Sequence, residues 1–96
     1  MLKHIVCWKL KEESKQENLV RMKSLLDSLP PVISEIKEFE VGIDVLKTET
    51  SYDITLYSAF EDAAALKRYQ VHPAHEEVAG FIKSVTEKRA VVDYLV

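Results

Sequence analysis

Residues 2–10 alternate, with Leu2, His4, Val6, Trp8 and Leu10 on one side and Lys3, Ile5, Cys7 and Lys9 on the other. A period of two is the signature of a strand. Both sides carry apolar residues, so both faces of its sheet are expected to be covered. From Ser14 the period lengthens, and Leu19, Met22, Leu25, Leu26 and Leu29 fall on one helical stripe. Ser14 and Glu17 have the spacing of a capping box, which predicts the helix start at Ser14. Pro30-Pro31 predicts its end. Phe39, Val41, Ile43 and Val45 then alternate with Glu38, Glu40 and Asp44 as a second strand, and the polar run Lys47–Ser51 reads as a hairpin loop.

A third strand is predicted over about 52–60. A second helix follows from Asp62 to about Gln70, with Ala65, Leu66 and Tyr69 inward. Pro73 breaks it, because the residue before a proline is pushed out of helical geometry. The same proline suits the first position of a new helix, expected to reach about Glu87, and a last strand is predicted at 89–96. The order β-α-β-β-α-β, with the second helix in two pieces, is the ferredoxin-like α+β arrangement. It makes one domain over residues 1–96: a four-stranded antiparallel sheet with its helices on one side. Since helices cover only one face, the sheet is expected to dock on a second copy of itself as a homodimer.

Composition narrows the partners. The 96 residues hold 13 Lys and Arg against 16 Asp and Glu, for a net charge of -3, and no segment concentrates basic residues. That leaves no electrostatic footprint for nucleic acid. No apolar run approaches the roughly 20 residues that span a bilayer, and the N-terminus lacks a signal-peptide pattern, so neither a membrane nor export is expected and the assignment is cytoplasmic. A small chain of this kind buries a modest share of its surface alone, which again favours a dimer. The single cysteine, Cys7, cannot form an internal disulfide. It faces away from His4 and reads as an inert core thiol.

The candidate chemistry lies at segment ends. His75 falls in the first turn of the third helix, where the helix dipole disfavours imidazolium while Glu76 and Glu77 oppose that effect. It reads either as a base or as a histidine that satisfies a backbone group. Tyr69 reads either as core or as a phenol that polarises a carbonyl beside His75. Asp93, in an otherwise apolar strand, needs a partner, and His4 and His75 are the candidates. His4, His72 and His75 are metal-ligand types, but His72 precedes the proline and is off the helix that carries His75, so no metal is expected. Gly42 and Gly80 stand alone, which leaves no nucleotide or flavin fingerprint, and no cofactor is expected. Trp8 shares the His4 side and reads as pocket wall or core.

The segments Leu2–Val6, Phe39–Asp44, Tyr69-Gln70-Val71-His72-Pro73-Ala74-His75 and Val91–Tyr94 resemble the stress-responsive α/β-barrel (Dabb) family over nearly the whole chain. The resemblance implies a dimeric α/β barrel, two four-stranded sheets closed on each other with helices outside. One distantly similar member, olivetolic acid cyclase, closes a polyketide by aldol condensation without a cofactor. Its tyrosine and histidine match Tyr69 and His75, and its cavity residues match His4 and Asp93. The resemblance therefore implies a pocket between sheet and helices for a small carbonyl-type molecule. Tyr69 and His75 would be catalytic, with His4, Val6, Trp8, Leu19, Met22, His72 and Asp93 binding or orienting the ligand. Cyclase- or isomerase-like acid/base chemistry is one expectation, and a non-enzymatic stress-response or ligand-binding protein with structural polar residues is the other. Where the cyclase has aromatics on its first helix this chain has Leu19, Met22 and Leu25, so its substrate does not carry over.

Overall fold

The alternation of residues 2–10 becomes β1 (Leu2–Leu10), whose even-numbered side chains are buried and whose odd-numbered ones are half-buried. In the computed structural model, which describes residues 1–96, the chain continues as α1 (Lys15–Asp27), β2 (Glu38–Ile43), β3 (Ile54–Phe60), α2 (Ala63–Gln70), α3 (Pro73–Val85) and β4 (Thr86–Leu95). The four strands form one sheet in the order β2-β3-β1-β4, and every neighbouring pair is antiparallel. This is the ferredoxin-like α+β fold expected from the pattern.

Register decides which side chains share a face. Leu2 pairs with Phe60, Val6 with Leu56 and Trp8 with Ile54, and all of these point toward the helices. Leu19, Met22 and Leu26 of α1, Leu66 and Tyr69 of α2, and Val78 and Ile82 of α3 close over them as one core. Only His4 and Ser58 are buried polar residues, and they sit opposite each other in β1 and β3. The Ser58 hydroxyl donates to the His4 carbonyl at 2.9 Å, which meets the requirement that buried polar groups be paired.

Four local expectations are corrected. The capping box does not form: Ser14 is in the left-handed region at φ 53° and its hydroxyl makes no cap bond. The helix ends at Asp27, before Pro30, because the chain turns at Ser28 to bury Leu29 and Ile33. Strand β2 ends at Ile43, so Val45 is exposed in a turn that Asp44 closes by accepting the Lys47 N–H at 2.7 Å. Strand β4 begins at Thr86, three residues earlier than expected. The Lys11 N–H bonds the Val85 carbonyl and Leu10 pairs with Thr86, so β1 draws the chain out of α3 there.

By contrast, Asp62 does cap α2, its carboxylate accepting the Ala65 N–H at 2.9 Å. Asp62→Ala is expected to cost about 1 kcal/mol. Ser14→Gly, which relieves a left-handed residue with no hydroxyl bond to lose, is expected to be neutral or to gain a few tenths of a kcal/mol, roughly. Urea midpoints of the two variants check both signs, and a loss at Ser14 as large as that at Asp62 would restore the capping box.

Candidate functional site

A cavity of about 450 Å³ opens between the helix face of the sheet and α2–α3, and His4, Val6, Trp8, Tyr69 and His75 all line it. The break at Pro73 brings the last two together. The sequence turns at Val71-His72, where the His72 ring accepts the Ala74 N–H at 3.1 Å and so caps α3. Tyr69 at the end of α2 and His75 in the first turn of α3 then meet, with ring centroids 4.5 Å apart.

The His75 ring is fixed by hydrogen bonding. Its Nδ1 lies 3.0 Å from the Gln70 carbonyl oxygen. A carbonyl only accepts, so Nδ1 carries the proton and the neutral ring keeps its lone pair on Nε2. Burial holds the His75 pKa below the ordinary imidazole value. The Gln70 bond and Glu76 work against that shift, and the His4 and Arg89 charges add to it. Desolvation, rather than either of the two influences named for the helix start, carries the net direction.

Tyr69 is 1% exposed and rests on Phe60, centroid to centroid 4.8 Å. Desolvation pushes its phenol pKa up, so the hydroxyl stays protonated at neutral pH. No side-chain polar atom sealed from solvent lacks a partner. The Tyr69 hydroxyl has no protein partner, so it opens onto the cavity it lines.

His4 is the third polar group of the wall. It pairs in register with Asp93 across β1 and β4, and its Nδ1 is 2.5 Å from Asp93 Oδ1. A carboxylate accepting at Nδ1 sets the imidazole orientation and turns Nε2 away from Asp93. Of the two partners considered for Asp93, the fold selects His4.

The remaining candidates are placed elsewhere. Asp93 acts on the cavity only through His4, and His72 is occupied as the α3 cap. Leu19 and Met22 are core residues outside the cavity wall, and Leu26 is the α1 residue that reaches it. No three His, Cys, Asp or Glu side chains gather with metal-ligand spacing. Sequence reading missed Gln70, Lys83, Glu87 and Arg89, which also line the cavity. Arg89 shares the parity of Asp93 within the predicted strand 89–96, but its place beside Trp8 follows only from the β1–β4 register.

Comparison with known proteins agrees with this architecture. The family model described as the stress responsive A/B barrel domain matches residues 2–96. An uncharacterised protein of Streptomyces coelicolor is 30% identical over 78 residues, covering 79% of this chain and 80% of that one. A crystal structure of a dimeric protein of unknown function with a ferredoxin-like fold, from Bacteroides fragilis, superposes with a TM-score of 0.91 at 34% identity, covering 99% of this chain and 95% of that one. A hydroxynitrile lyase from Passiflora edulis shares the fold, with a TM-score of 0.87 at 21% identity over 99% of this chain and 92% of that one.

The His75 geometry predicts a pH dependence of stability. With its folded pKa depressed, its contribution is fully present above the ordinary value near 6.5 and is lost as pH falls through the lower folded value, because the unfolded chain takes the proton first. Urea unfolding followed from about pH 7.5 to about pH 5 is expected to show this acid loss, reduced in His75→Gln. Nitrogen-15 NMR at neutral pH should show the His75 proton on Nδ1. A proton on Nε2 would remove the basis for this tautomer.

Proposed function

The chain belongs to the stress responsive A/B barrel family, and we propose that it is a small homodimer whose cavity binds a carbonyl compound and performs cyclase- or isomerase-like proton transfer. The observation that carries this reading is the facing pair Tyr69 and His75, 4.5 Å apart by ring centroid in one cavity. A neutral imidazole with a free Nε2 lone pair is suited to take a proton from the carbon next to a carbonyl. A phenol that stays protonated donates a hydrogen bond to the carbonyl oxygen and to the enolate that replaces it. His4, oriented by Asp93, offers a second imidazole that in its protonated form delivers its own Nε2 proton to a different atom. His75 then gives up its proton and His4 regains one from solvent. The fold shared with a hydroxynitrile lyase supports only the suitability of this scaffold for an enzyme.

The alternative, a non-enzymatic stress-response or ligand-binding protein, has its own support. Each histidine has a structural bond: His4 joins β1 to β4, His72 caps α3, and His75 fastens α3 to the end of α2. The experiment that separates the two readings is exchange of the α-protons of a ketone for deuterium, followed by NMR. Catalysed exchange is expected to fall by roughly 10²–10⁴-fold in His75→Ala and strongly in Tyr69→Phe, with both variants folded. Exchange no faster than buffer in the wild type would give the alternative the field. A parallel loss of about 1–3 kcal/mol of stability in His75→Ala would assign the ring a structural role as well.

The homodimer reading rests on the sheet face opposite the helices. That face carries Ile5, Cys7, Val92 and Tyr94, and the last two are exposed. Of its three lysines, Lys3 donates to Glu38 at 2.8 Å, a carboxylate that also accepts from the Tyr57 hydroxyl, while Lys9 and Lys88 stand over the Tyr52 ring at one end of the face. The apolar middle of this face can be buried against a copy of itself with its charged residues left at the rim. Solved relatives described as dimeric support it. Light scattering at micromolar concentration is expected to give twice the 11.0 kDa protomer mass, and the protomer mass alone would refute the dimer.

A further inference from the structure

The cavity is electrically lopsided. At the end formed by the last turn of α3 and the start of β4 it is lined by Lys83, Glu87, Lys88 and Arg89. Register sorts the three on β4. Arg89 pairs with Trp8, so it shares the helix face and overhangs the cavity wall that Trp8 forms. Lys88 pairs with Lys9, and its ammonium stands over the Tyr52 ring, which commits it to the opposite face. Glu87 lies between the paired residues Thr86 and Lys88, where the register slips, and it also borders a second, polar cavity between the start of α1 and the β2–β3 loop.

Neither Arg89 nor Lys83 takes part in any ion pair of the chain; those pairs all lie elsewhere. Both side chains are exposed. A guanidinium and an ammonium left unpaired at a cavity, in a chain whose net charge is -3, form a local inversion of sign. A planar guanidinium is matched to the two oxygens of a carboxylate. Lys83 by itself is what the last turn of any helix favours, so the weight rests on Arg89 and its placement opposite Trp8. The Arg89 charge is also felt at the His75 ring, so it looks onto the same space.

We propose that the carbonyl compound is a keto acid, its carboxylate held by Arg89 with Lys83 while its carbonyl lies between Tyr69 and His75. This rests on the carbonyl reading above and adds the ligand's charge and reach. His4 and Trp8 are four residues apart on β1, as are Asp93 and Arg89 on β4. At about 3.3 Å per residue the anchoring and reacting ends lie on the order of 13 Å apart at the backbone, which side chains from both ends shorten. The ligand therefore carries its carboxylate several carbons away from its carbonyl.

The test is NMR titration of the full nitrogen-15-labelled protein with 6-oxo-6-phenylhexanoate, its primary amide, and phenyl phosphate. The indole N–H of Trp8, the chain's one tryptophan, reports on the wall opposite Arg89. The keto acid is expected to shift the Trp8 and His75 signals and to bind roughly tenfold tighter than the amide, a gap that narrows as salt is raised. In Arg89→Gln/Lys83→Gln the two should bind equally. That double variant changes only exposed, unpaired side chains, so its fold is checked by an otherwise unchanged spectrum. Equal binding of acid and amide to the wild type overturns the carboxylate seat and leaves the carbonyl cavity standing. Tighter binding of phenyl phosphate than of the keto acid also overturns it, in favour of a phosphate site. Absence of any cavity shift with all three probes overturns this inference together with the carbonyl reading.

Discussion

The site depends on one missing N–H. Pro73 cannot donate a helical hydrogen bond and its ring excludes the preceding residue from helical geometry, so α2 cannot run on into α3. The interruption leaves the Gln70 carbonyl without a partner from its own helix. His75, placed in the first turn of the new helix, supplies its Nδ1–H to that oxygen. A single backbone constraint thus sets the angle between two helices, brings His75 beside Tyr69 and selects the tautomer that leaves Nε2 free. The same turn uses His72 as the new cap, so two histidines three residues apart have unrelated roles.

On the sheet side, a cross-strand pair gives the same kind of control. His4 and Asp93 are register partners on the helix face, and a shift of β4 by one residue would send Asp93 to the other face. The orientation of His4 is therefore tied to the correct seating of an edge strand whose residues are nearly all exposed in one protomer. A partner copy that covers the open face and steadies β4 would also steady His4. Dimerisation and the readiness of the cavity are connected through that strand, although Asp93 itself does not line the cavity.

Most of the fold was legible because its elements announce themselves by period. The alternation of β1, the stripe of α1 and the inward set Ala65, Leu66 and Tyr69 each match the structure. The failures were at boundaries where tertiary pairing overrides local preference. Ser14 carried a capping sequence yet sits in a left-handed conformation, and Thr86 was assigned to a helix that β1 claims as strand. The site was partly legible for the same reason: Tyr69, His75, His4, Val6 and Trp8 follow from parity and the proline break. Leu19 and Met22 share the buried stripe with Leu26, and amphipathicity alone does not say which turn of a buried stripe borders a void. Arg89 lay inside the predicted last strand, but its place at the cavity depends on the pairing of β4 with β1, which parity alone does not give.

That residue changes how the cavity's electrostatics work. Wherever a buried imidazole must stay neutral, a nearby cation helps, since it opposes protonation of the ring. At His75 desolvation does most of this, and Arg89 adds a small share. An anion seated on Arg89 would weaken that opposition and raise the basicity of Nε2 at the moment the site fills. Occupancy at one end of the cavity would then add a small through-space contribution to proton affinity at the other. Tyr69 is governed by burial alone, with no charged group beside it, so filling the site leaves it a hydrogen-bond donor. The imidazole and the phenol thus respond differently to the same event, and this divergence lets adjacent groups keep distinct acid and base roles.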